Sequence, residues 1–133
     1  MRPVAETFRF TPPVTRAYRY LNRLYPGKVA RETPPAGYTP TTDEVIIVKT
    51  GGGAGPHTHQ LYDARISFEV RAPTTARAEA LAYQVDRDIR EWEWREDHVY
   101  LQSDGVPVWD PDPETRAPAY TWTAAFTFKS TAQ

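Results

Sequence analysis

Hydrophobic positions recur along this chain with two different periods, and each change of period marks a new element. Val14, Ala17, Tyr18, Leu21, Leu24 and Tyr25 fall at helical spacing. Thr11 is the expected N-cap, proline suits a first helical turn, and Pro26-Gly27 stops the run. Arg16, Arg19, Asn22 and Arg23 lie on the other face and read as solvated. KVARET at 28–33 is a short candidate strand, and PPAGYTPTTDE after it is loop. EVIIVKT at 44–50 is β-branched and short, as a buried strand would be. LYDARISFEVRA at 61–72 alternates. Ala64, Ile66, Phe68 and Val70 point one way; Asp63, Arg65, Ser67, Glu69 and Arg71 point the other.

A second helix opens at Pro73-Thr74-Thr75, with its apolar stripe at Ala78, Leu81, Ala82, Val85, Ile89 and Trp92. Asp86/Arg90 and Glu91/Arg95 are acid-before-base pairs four apart, the favourable order on a helix. The helix is expected to fray within EWEWREDH. HVYLQS at 98–103 reads as a strand and VPVWDPDPETRAP as a loop. AYTWTAAFTFKS at 119–130 alternates again, with Tyr120, Trp122, Ala124, Phe126 and Phe128 inward. The order predicts an α+β fold: a mixed, mainly antiparallel sheet of four to five strands packed with two helices. A single domain over 1–133, with its core at about 12–130, accounts for every stripe. Thirteen prolines, nearly all between periodic segments, sharpen these boundaries.

Composition narrows the function classes. There are 16 basic and 17 acidic residues, for a net charge of −1. No basic excess exists to drive general binding to a phosphate backbone. The absence of cysteine removes disulfides, thiolate metal sites and cysteine nucleophiles together. MRPVAETFRF has no apolar segment after its early Arg, so no secretory signal is expected, and no run approaches a membrane span. Use in a cytoplasm, or in something assembled there, is the expectation.

The most unusual stretch is GGGAGPHTHQ at 51–60. A Walker loop needs Lys-Ser or Lys-Thr after its last glycine and then a helix; here Pro56 and His57 follow Gly55, and a strand comes next. His57 and His59, two apart on extended chain, would project from one face and could share a metal ion. With Gly51 and Asp63 their spacing resembles the first motif of the cupin barrels. The resemblance fails further on: the cupin acid is usually Glu, Val70 stands where a glycine should close the motif, and the two helices do not suit a jelly roll. His98, the remaining histidine, is placed at a helix end. The favoured reading is two exposed loop histidines, with a metal enzyme centred on His57, His59 and His98 as the rival.

Asp110, Asp112 and Glu114 alternate with prolines and could hold Ca²⁺, but a rigid surface turn accounts for them better. Ser67, Ser103 and Ser130 sit in no nucleophile elbow. Tyr120, Trp122 and Trp92 are placed in the core, not on a base-stacking platform. No catalytic, cofactor or metal residue is assigned, and the long loops point to a protein partner.

Several features in order resemble the tail terminator (tail completion) proteins of long-tailed bacteriophages. They are YLNRLYPG at the end of the first helix, VIIVKTGGGAG, FEVRAPTTARAEALAYQVDRDI, and GVPVWDPDPETRAPAYTWTAAFTF. The resemblance covers most of 12–130. It implies an α/β fold with a sheet flanked by helices. It also implies a ring, commonly of six subunits, on the head-proximal end of the tail tube. Such a ring stops polymerisation of the tube protein and offers the surface that the head-tail connector joins. DNA passes through the lumen without specific binding. No membrane is involved, and the place is the virion, after assembly in the host cytoplasm. Glycine-rich 51–60 becomes a hairpin-like loop that orders against a neighbour. Another neck or head-completion protein is the alternative within the class, and a part of a contractile injection device is a further one.

Overall fold

A computed structural model describes residues 8–9, 11–56 and 60–132. The elements in chain order are β1 (Phe8–Arg9), α1 (Pro13–Leu24), β2 (Val29–Arg31), β3 (Val45–Thr50), β4 (Gly55–Pro56) and β5 (Leu61–Arg71). They continue as α2 (Thr75–Arg90), α3 (Trp92–Arg95), β6 (Val99–Asp104), β7 (Val108–Trp109), β8 (Ala119–Lys129) and β9 (Thr131–Ala132). The main sheet has seven strands in the order β2-β3-β5-β8-β6, with β4 added beside β5 and β7 beside β8. Only β2 and β3 run parallel; the remaining pairs are antiparallel. The expected four to five strands are the five of this path. The two-residue β4 and β7 carry too little alternation to be read from sequence. β1 and β9 form a separate two-stranded pair.

β5 and β8 make the spine, in register from Leu61↔Lys129 to Arg71↔Ala119. One face of this pair carries Ile66, Phe68, Val70, Trp122, Ala124, Phe126 and Phe128, all buried under α1 and α2. The whole predicted stripe of α2 is buried, and Thr74 caps it by accepting from the Arg77 N–H at 3.2 Å. Trp92 is the centre of the core. It stacks on Tyr20 at 5.1 Å and meets Phe126 and Phe128 edge-on at 5.2 and 5.7 Å. Ala30, Val45 and Ile47 form a smaller cluster, against which Tyr38 of the 32–44 loop packs.

α1 departs from expectation in three places. Its N-cap is Pro12, not Thr11, because the helix begins at Pro13 and the Arg16 N–H reaches the Pro12 carbonyl. Tyr20 is buried while Leu24 is exposed, since Trp92 supplies a ring for Tyr20 to lie on. Arg16 is not merely solvated: it donates to the carbonyls of His98 and Asp97 and lies over the Phe128 ring at 5.2 Å. A polar joint ties the helices together. Asp88 accepts from the Tyr25 hydroxyl and from Arg95, while the Tyr20 hydroxyl donates to the Asp88 carbonyl.

Candidate assembly surface

The glycine connection is a hairpin between β3 and β5. The Gly51 N–H donates to the Arg65 carbonyl at 2.9 Å, and the Arg65 N–H donates back to Gly52 at 2.7 Å. A Cβ at Gly51 would stand 2.8 Å from the Arg65 carbonyl oxygen. At Gly53, with φ +123°, it would stand 2.7 Å from the Ala64 Cα. Two of the glycines therefore serve a close backbone contact with β5. His57 and His59 lie outside the described residues. Asp63 accepts from the Thr127 hydroxyl at 2.6 Å across the β5–β8 ladder. His98 has φ +67° at the turn from α3 into β6, and its carbonyl takes the Lys129 N–H. Among the described residues, no group of three or more His, Asp or Glu side chains is placed to hold a metal ion.

The acidic turn is held by its own chain. Asp112 accepts from the Thr115 N–H at 2.8 Å and from its hydroxyl at 2.6 Å, which lowers the Asp112 pKa. Asp110 accepts from the Thr121 hydroxyl at 3.4 Å. Glu114 is exposed. The three carboxylates do not converge, which fits a rigid surface turn. Ser67 shares a hydrogen bond with the Thr123 hydroxyl at 2.9 Å, a cross-strand pair of the open sheet face.

The alternation of β5 turns Glu69 and Arg71 away from the core face, yet both are covered. Glu69 accepts from Lys49 at 2.5 Å and from Arg71; Arg71 also lies 3.6 Å from Asp112 and 6.0 Å from the Tyr38 ring centre. Burial alone would raise the Glu69 pKa, but the bonds from Lys49 and Arg71 win and lower it. These charges are spent on pinning the loops that contain Tyr38 and Asp112. Arg65 stays exposed.

What remains outward is concentrated at one margin. Of the seven exposed large hydrophobic residues among the described ones, five lie between 94 and 109: Trp94, Tyr100, Val106, Val108 and Trp109. Trp94 is 83% exposed. It follows Trp92 by two, and residues two apart on a helix face nearly opposite ways, so burying one turns the other out. EWEWREDH, where fraying is expected, instead forms this short helical turn. β6 borders this margin and pairs on one side alone. Its outward Leu101 N–H is taken by the Glu93 carboxylate at 3.1 Å, a guard on an open strand edge. Charge is unevenly divided as well. Residues 11–31 hold Arg16, Arg19, Arg23, Lys28 and Arg31 and no acid, whereas 91–104 hold Glu91, Glu93, Glu96, Asp97 and Asp104 against Arg95.

No family model matches the chain, and no curated protein matches it. No helix among the described residues is long and apolar enough to cross a membrane. What the protein does must be read from its own residues.

Proposed function

We propose that the protein is a structural assembly subunit that forms a homomeric ring, hexameric by its resemblance to tail terminators, at the head-proximal end of a phage tail tube. There it halts tube growth and offers the surface that head-tail connector proteins join. The observation that carries this reading is the aromatic margin at 94–109. Large apolar side chains exposed along one sheet margin favour a protein contact, and Trp is enriched among the anchors of such contacts. A closed ring requires contacts between unlike faces of the subunit, and mixed surface charge sets their orientation. DNA passing through the lumen needs no specific site on such a subunit.

Native mass spectrometry of the untagged chain, alone and with isolated tail tubes, tests the reading. The expected result is a discrete ring mass, or a ring on the tube end, that Trp94→Ala weakens. A protein that stays monomeric and leaves tubes unbound and still growing would sink it.

A further inference from the structure

The end of β6 meets α2 through two carboxylates. Arg90 Nε lies 3.5 Å from Asp86 Oδ2 and 4.0 Å from Asp104 Oδ2. The other oxygen of each, Oδ1, is sealed from water and receives no hydrogen bond. Asp86 is only 6% exposed, and both carboxyls lie within 4.0 Å of the one Arg90 Nε, so the two converge on a single guanidinium. Two buried carboxylate oxygens in this position repel one another unless a donor stands between them. A divalent ion is a poor candidate. Calcium seeks six to eight oxygens, and no third acidic or histidine ligand joins the pair among the described residues. A proton needs only the two.

We propose that Asp86 and Asp104 share one proton, and that this proton latches the end of β6 and the turn after it onto α2. The charged groups acting on Asp104 are Asp86 and Arg90, both from α2. β8, on which β6 lies, faces it with Ala124, and the turn is Gly105, Val106 and Pro107, none ionisable. Glu93 of α3 is engaged at Leu101. Burial, followed by the Asp86 bond and charge, pushes Asp104 up to about 8, and Arg90 pulls the other way. At neutral pH the pair therefore carries one negative charge, set against the Arg90 guanidinium. Above about pH 8 the carboxyl O–H breaks and its proton passes to solvent. Two negative charges then face one positive. The turn beyond is held by the bond from the Gly105 N–H to the Thr123 carbonyl at 2.9 Å, and it leads into exposed Val106 and Val108. Loss of the proton loosens the root of the aromatic margin. This inference stands independently of the ring.

A carboxyl-carbon NMR titration of the full wild-type chain tests the proton directly. One of the two aspartates should show its step near pH 8; both stepping near the ordinary aspartate value would overturn the proposal. Amide exchange at Gly105, corrected for the intrinsic effect of pH, tests the latch. Protection should fall about tenfold between pH 7 and pH 9 in the wild type. It should stay flat in Asp104→Asn, whose amide is a permanent donor. No fall in the wild type, or an equal fall in the variant, would overturn it. Recovery at pH 9 on adding Ca²⁺ alone would also overturn it, by making the pair a cation site. Should Asp104→Asn fail to fold, the carboxyl titration decides.

Discussion

Glu69 and Asp104 are both acids on sheet strands, and both are largely withdrawn from water. Burial pushes each carboxyl toward its neutral form. The neighbours then take them in opposite directions. Glu69 sits between Lys49 and Arg71, keeps its charge and has its pKa lowered. Asp104 has Asp86 beside it and only a half-exposed guanidinium as counterweight, and it rises to about 8. Desolvation sets the stakes, but the sign comes from what the strand's partner presents. For Glu69 that partner is Lys49 on β3, reinforced by Arg71 on β5 itself. For Asp104 it is another acid, carried in by a helix.

The largest expected effect comes from breaking the compensated site. Arg71→Met leaves Glu69 with Lys49 alone and removes the contact to Asp112. Removing one partner of a buried ion network should cost about 3 kcal/mol, read as a lower midpoint in urea denaturation. Tyr25→Phe tests an acid of the same kind in the polar joint. Asp88 would lose its hydroxyl donor and keep Arg95, at a cost of about 1.5 kcal/mol by the same measurement.

The pH dependence sharpens the contrast. Asp104 has a folded pKa raised above its unfolded value of 3.8, so its contribution is full below that value. It declines as pH rises and is lost through about 8. Glu69 has a depressed pKa, so its contribution is present above the ordinary glutamate value and is lost as pH falls through its folded pKa. Asp104→Asn should therefore raise the melting temperature at pH 8 by about 3 °C, roughly 1 kcal/mol, and raise it less at pH 5. Calorimetry at the two pH values checks this; an equal gain at both would remove the distinction between the two acids. Trp94→Ala is the smallest in stability, within about 0.5 kcal/mol by urea denaturation, because its side chain is already in water. Its effect should appear in assembly instead.

The elements were legible because their periodicity is local. The helical stripe from Ala78 through α2 to Trp92 of α3 and the inward series of β8 from Tyr120 to Phe128 needed no knowledge of their partners. Asp86 was partly legible too: it stands four after Ala82 and three before Ile89, inside the buried face. The alternation of β5 gives the face on which Glu69 and Arg71 lie, but not what covers them. What covers them is the 32–44 loop and the 110–118 turn, distant in sequence and lacking a period. Tyr20 went unread for a similar reason, because its burial depends on Trp92, on another helix. The aromatic margin is encoded in the spacing of Trp92 and Trp94, two apart in EWEWREDH, which turns one inward and the other out.

β1 and β9 bring Arg9 opposite Thr131 and Phe8 opposite Ala132. Chain positions more than a hundred residues apart are thus next-door neighbours, and they offer a route to circular permutation. A few flexible residues could join 132 to 8, and new ends could be opened in the exposed stretch 35–42 without cutting the β5–β8 spine. Fluorophores attached at positions 9 and 131 would report that pairing directly.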